Sequence, residues 1–184
     1  MKMKVDNFIE NIIDQIQESQ LKLGYAKETI RLYYPLSSLN HLLGSNTNNP
    51  EEMKQILQKE CSEITILGKL KFGIHQERIE ISVPPEGCEY VYRQRKTPDF
   101  LCDMISLFQK HHCLKIEEIC NLFAKYSDKY ICKKMPEQAD FDYVVYFEEP
   151  AIDSYYYCIK MEMGHTIYHR FLKEDYRLLA GEVN

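Results

Sequence analysis

The sequence predicts an α+β fold, with an antiparallel sheet of two hairpin or meander units and helices packed on one face. Three observations lead to it. Residues 70–83 and 140–176 alternate apolar and polar side chains with period two, a helical pair lies between them, and further helical stripes precede both. The 184 residues contain no repeat of fixed period and no linker long enough to separate two domains, so one domain is expected, with a helical segment 1–66 ahead of a sheet-plus-helices segment 67–184.

The first stripe is Val5, Phe8, Ile9, Ile12, Ile13 and Ile16, which predicts a helix of about five turns ending near Gly24. Lys27 to Tyr33 reads as a short helix-permissive segment up to Pro35, which biases Tyr34 out of the helical region. Leu36, Leu39, Leu42 and Leu43 form the next helix, closed by Gly44, and Ser45 to Asn49 is a polar loop. Asn49-Pro50-Glu51-Glu52 then combines a capping side chain, proline in the first turn and acids at the positive end of the helix dipole.

Leu70, Phe72 and Ile74, followed by Ile79, Ile81 and Val83, form a hairpin, and parity favours a tight loop at Gln76-Glu77. Pro84-Pro85 ends it, and Glu86 to Lys96 reads equally as a strand or a helical turn. Thr97-Pro98-Asp99 starts a helix bearing Phe100, Leu101, Met104, Ile105 and Phe108, and another begins near Lys115 with Ile116, Ile119, Cys120 and Phe123. The basic segment from Lys125 to Lys134 leads into the meander, and Lys173-Glu174-Asp175-Tyr176 begins a terminal helix.

In the meander, Tyr143, Val145 and Phe147 share one face, as do Tyr157, Ile159 and Met161. A two-residue loop at Gly164-His165 would mix core and solvent positions, whereas a three-residue loop, Glu162-Met163-Gly164, sets Ile159 opposite Ile167 and Tyr157 opposite His169. His169 is then a core-face imidazole and a candidate general acid or base in company with Asp153 and Tyr155 or Tyr157. A structural histidine bonded to a tyrosine or carbonyl is the simpler account. Tyr156, Lys160, Tyr168 and Arg170 fall on the open face and are candidate ligand- or partner-binding residues, since Tyr and Arg supply much of the contact energy in interfaces.

Composition narrows the function classes. A net charge of −5 disfavours a broad nucleic-acid or anionic-membrane surface. No run approaches the ~20 apolar residues of a membrane span, and MKMKVDNFIE lacks the apolar block of a signal peptide, so a cytoplasmic protein is expected. Seven cysteines without repeated spacing fit reduced thiols rather than a disulfide framework. His111-His112-Cys113 lacks a completing pair for zinc, and neither GxGxxG nor GxxxxGK[ST] occurs. No metal or cofactor is expected. A winged-helix arrangement of the two central helices and the following strands would place Glu117 and Glu118 against phosphates, which repels DNA.

The runs Arg31-Leu-Tyr-Tyr-Pro35, Phe141-Asp-Tyr143, Ile152 to Cys158, Ile167-Tyr-His-Arg-Phe171 and Glu174-Asp-Tyr176 resemble an uncharacterised protein family of anaerobic gut Firmicutes. The resemblance covers most of the chain and implies a bacterial, cytosolic, single-domain protein. Because that family has no assigned activity, it transfers no catalytic residue. The expected function is a non-enzymatic module binding a protein or small ligand through the Tyr/Arg face, with a small-molecule enzyme or sensor near His169 as the alternative. A homodimer through an exposed sheet edge is a further arrangement that the pattern allows.

Overall fold

The structure, a computed structural model, describes residues 2–24, 27–95 and 99–180, with the side chains of 2–4 and 178 outside that description. It is α+β and divides into two compact units, 1–96 and 97–184, each with its own antiparallel sheet. The predicted hairpin and the predicted meander belong to different sheets.

The first unit runs α1 (Lys2–Leu23), β1 (Ile30–Tyr34), α2 (Leu36–Leu43), α3 (Pro50–Glu60), β2 (Lys71–His75), β3 (Arg78–Val83) and α4 (Pro85–Gln94), with strand order β1-β3-β2. The α1 stripe buries Phe8, Ile9, Ile12 and Ile16, as its spacing requires. Gly44 closes α2 with a positive φ, and the Asn49 side chain accepts the Glu51 N–H at the start of α3. The hairpin has the predicted register, Ile74 opposite Ile79 and Phe72 opposite Ile81, around Gln76-Glu77.

Lys27 to Tyr33 is corrected. Instead of a helical segment, residues 30–34 form β1, antiparallel to β3 with Leu32 opposite Ile81. Leu32 and Tyr34 are buried while Arg31 and Tyr33 are exposed, so the period-two alternation outweighs the local helical preference once β3 offers an edge. The buried Tyr34 hydroxyl donates to Asn11 Oδ1 of α1 at 2.7 Å, which satisfies a group that burial would otherwise penalise. The ambiguous stretch after Pro84 is α4, with Pro85 at its first position. Its Gly87 packs so closely that a Cβ there would collide with the Leu67 carbonyl.

The second unit runs α5 (Phe100–Lys110), α6 (Ile116–Tyr126), β4 (Tyr130–Lys134), β5 (Tyr143–Phe147), β6 (Tyr155–Glu162), β7 (His165–Leu172) and α7 (Lys173–Leu179), with strand order β4-β5-β6-β7. Asp99 caps α5 by accepting the Cys102 N–H at 2.8 Å, whereas the Thr97-Pro98 part of the predicted start lies outside the described residues. The core joins Phe100, Met104, Ile119 and Phe123 to Val145, Phe147, Tyr157 and Ile159. Phe100 makes edge contacts with Phe123, Phe147 and Tyr157 at 4.7, 4.8 and 5.5 Å, a ring geometry that aromatic quadrupoles favour. The basic segment contains a strand that the sequence pattern left unassigned: β4 pairs Tyr130 with Phe147.

The register of the last hairpin is also corrected. Its loop is the two residues Met163-Gly164, with φ of 49° and 78°, closed by Glu162 opposite His165. Two successive positive φ values define a type I′ turn, whose twist matches paired strands. Tyr157 therefore opposes Arg170, Cys158 opposes His169 and Ile159 opposes Tyr168, so every β7 side chain lies on the face opposite to the one a three-residue loop would give.

Two predictions follow from these contacts. Met163 is a non-glycine residue in the left-handed region, which costs about 1–2 kcal/mol. Met163→Asn, giving the Asn-Gly pair preferred in such turns, raises the unfolding free energy in urea by about 0.5–1 kcal/mol; a decrease would contradict the turn type. Asp103 of α5 accepts Lys125 Nζ at 2.6 Å and the Tyr126 hydroxyl at 2.9 Å, and these bonds hold its carboxyl below the usual range. A lowered folded-state pKa contributes stability that is present above the ordinary value of 3.8 and lost as pH falls through the lower folded value. Asp103→Asn should therefore show a shallower acid-side loss in a pH series of denaturation curves.

Candidate binding site

The sheet of the second unit has two faces, and strand parity assigns the candidates to them. On the α5/α6 face, Asp153 precedes β6 and its carboxylate accepts the Tyr155 N–H and the Tyr157 hydroxyl, both at 2.8 Å. Arg170 Nη2 lies 3.9 Å from Asp153 Oδ2, and the guanidinium sits 3.9 Å from the centre of the Tyr155 ring. The two charged side chains are 2% and 8% exposed, so this is a buried pair held by aromatic rings, a structural cluster that presents little surface to a partner. Tyr168 is half-buried on the same face, its ring 4.8 Å from Phe108 and 5.8 Å from Tyr157.

The opposite face carries Tyr146, Tyr156, Lys160, Ile167, His169 and Phe171, partly covered by α7 through Tyr176. Tyr146 and Tyr156 stack with centroids 3.9 Å apart and planes 6° apart, and Tyr176 packs on Tyr156 at 4.9 Å. Beside these rings is a cleft of about 610 Å³, with Lys133 of β4, Glu174 and Arg177 of α7 and the three tyrosines among its lining. Burial pushes the Tyr156 hydroxyl up; Tyr146 adds to this and the Arg177 charge pulls against it, so the ring enters the cleft as a neutral phenol.

Only part of the sequence-derived grouping survives. His169 is exposed, its ring 5.5 Å from Phe141, on the face opposite Asp153 and Tyr157, so these three form no common site. Tyr156 and Lys160 do share the open face, but Tyr168 and Arg170 have moved to the core face with the change of register. Lys160 lies 3.9 Å from Asp142, away from the tyrosine cleft. The cleft residues Lys133, Tyr146, Tyr176 and Arg177 were not anticipated. Parity along β5 could have placed Tyr146 beside Tyr156; nothing in the sequence indicates which face α7 covers.

Among the described residues, no three His, Cys, Asp or Glu side chains are grouped to hold a metal ion, and no helix is long and apolar enough to cross a membrane. The exposed side of α6 presents Glu117 and Glu118.

These features define an α+β protein with a tyrosine-lined cleft on the outer face of its second sheet. The chain belongs to the family described as "Domain of unknown function, E. rectale Gene description (DUF3877)", whose model matches residues 5–180. No curated protein and no solved structure matches it.

The Asp153–Arg170 pair yields a stability prediction. Asp153→Ala leaves a buried guanidinium without its carboxylate and should lower the unfolding free energy by about 3–5 kcal/mol. The double variant Asp153→Ala/Arg170→Met should recover part of that loss in urea denaturation. A single-variant effect under about 1 kcal/mol would mean that the pair is not desolvated.

Proposed function

We propose that this chain is a non-enzymatic binding module whose site is the tyrosine cleft, and that its ligand is a small anion bearing a planar ring. The observation that carries this is the joining of the stacked Tyr146–Tyr156 pair, with Tyr176 tilted against it, to the cationic side chains of Lys133 and Arg177, beside Glu148 and Glu174, in one concavity. A volume of about 610 Å³ falls within the ~300–1,000 Å³ typical of small-molecule sites. Tyrosine rings supply apolar contact and hydroxyl donors, while the guanidinium fork suits a carboxylate or phosphate. The separation of His169 from Asp153 and Tyr157 on opposite faces favours binding over catalysis at those residues.

The test is a thermal-shift screen with aromatic carboxylates and nucleoside monophosphates, followed by calorimetry. A ligand present at about one hundred times its Kd stabilises by about 2.7 kcal/mol, a readily measured shift. Arg177→Ala, at an exposed helix position, should weaken binding at least tenfold, while Lys160→Ala should leave it unchanged. If no member of either class shifts the transition, or if Arg177→Ala binds as well as the parent chain, the cleft is not an anion site.

A further inference from the structure

Two of the seven cysteines lie on neighbouring elements, Cys120 on α6 and Cys132 on β4. After α6 the chain turns through residues 127–129, and β4 runs back along the helix, with Tyr130 packed on Phe123 at 6.0 Å. From that contact, three residues back along the helix cover about 4.5 Å and two residues along the strand about 6.6 Å, which leaves Cys120 and Cys132 within about 2 Å of level. Cys132 opposes Val145, a core residue of the face on which α6 packs, so its side chain points towards the helix. On α6, Cys120 shares the stripe of Ile116, Ile119 and Phe123 that packs on the sheet, so its side chain faces the strand as well. Cys120 is half-buried and Cys132 exposed, so a reagent reaches the outer thiol first and the inner one is poised behind it.

We propose that Cys120 and Cys132 form a dithiol site that a low-molecular-weight disulfide converts into an intramolecular disulfide joining α6 to β4. In the first step the Cys132 thiolate attacks one sulfur of the reagent. The reagent's S–S bond breaks, a mixed disulfide forms at Cys132, and one small thiol leaves and takes up a proton. The Cys120 thiolate then attacks the Cys132 sulfur, the mixed disulfide breaks, and the second small thiol leaves protonated. The protein loses two hydrogens and the reagent gains two.

The surroundings set the rate. Partial desolvation where Cys132 faces α6, then the neighbouring Cys120, then the charge of Glu117, push the Cys132 thiol up to about 12. Tyr130, on the same strand, is raised by burial and then by the charges of both thiols. The thiolate is therefore scarce near neutrality, and the first step should accelerate about tenfold per pH unit through the alkaline range.

The experiment treats the full chain with oxidised glutathione over a pH series, blocks remaining thiols with N-ethylmaleimide, and maps peptides digested without reductant. The expected result is a linked Cys120–Cys132 peptide pair, formed faster at each higher pH, with the exposed Cys113 of the α5–α6 connection carrying glutathione as an internal reference. Cys120→Ser should stop the reaction at a glutathione adduct on Cys132. Recovery of Cys132 as a lasting adduct beside alkylated Cys120 in the parent chain, or of both alkylated where Cys113 has reacted, overturns the proposal. That mapping needs no variant to fold.

Discussion

Every side chain of β7 takes its face from the two-residue turn at Met163-Gly164, and the character of the second unit depends on that choice. Strand side chains alternate, so lengthening the loop by one residue would exchange the two faces of the strand. The observed register leaves Ile167 half exposed and brings Arg170 inward, an arrangement that hydrophobicity alone disfavours. Specific contacts offset this. Arg170 lies on the Tyr155 ring beside Asp153, Tyr168 packs on Phe108, and the buried Thr166 hydroxyl both donates to the Leu114 carbonyl and accepts the Leu114 N–H. The Thr166 N–H also donates to the His112 carbonyl, so the connection between α5 and α6 covers part of an edge strand that would otherwise offer an unpaired donor.

The same turn separates a densely packed face from an open one. On one face, Phe100 and Phe123 of the helices meet Phe147 and Tyr157 of the sheet in a dense ring cluster, and the buried ion pair closes one end of it. On the other face the short α7 seats Tyr176 over Val144 and Cys158, with Met135 and Phe141 packed beside them. Because α7 shields so little, the stacked Tyr146–Tyr156 pair borders an open cleft instead of a sealed core. The proposed ligand site is thus a consequence of unequal helix cover on the two sides of one sheet.

The proposed Cys120–Cys132 site rests on another local geometry, a strand folded back along the helix it follows. It sits on the side of the sheet away from the tyrosine cleft, so oxidation and ligand binding can be measured separately.

The α+β class, the α1 and α3 helices with their polar and proline signals, and the β2–β3 hairpin were determined by the sequence, because periodicity and capping are local properties. The faces of β5 and β6 were equally legible. Two strands, β1 and β4, were not: each is short, each lies beside residues compatible with helix or coil, and each becomes a strand only because β3 or β5 offers an edge to pair with. The register of β7 was likewise a tertiary decision. Ile167, His169 and Phe171 form a more apolar series than Thr166, Tyr168 and Arg170, and the partners at Asp153, Tyr155, Phe108 and Leu114 reverse that preference. The sequence could place Tyr156 on the open face as a candidate; Lys133, Tyr176 and Arg177 came beside it only when β4 and α7 packed against the same sheet.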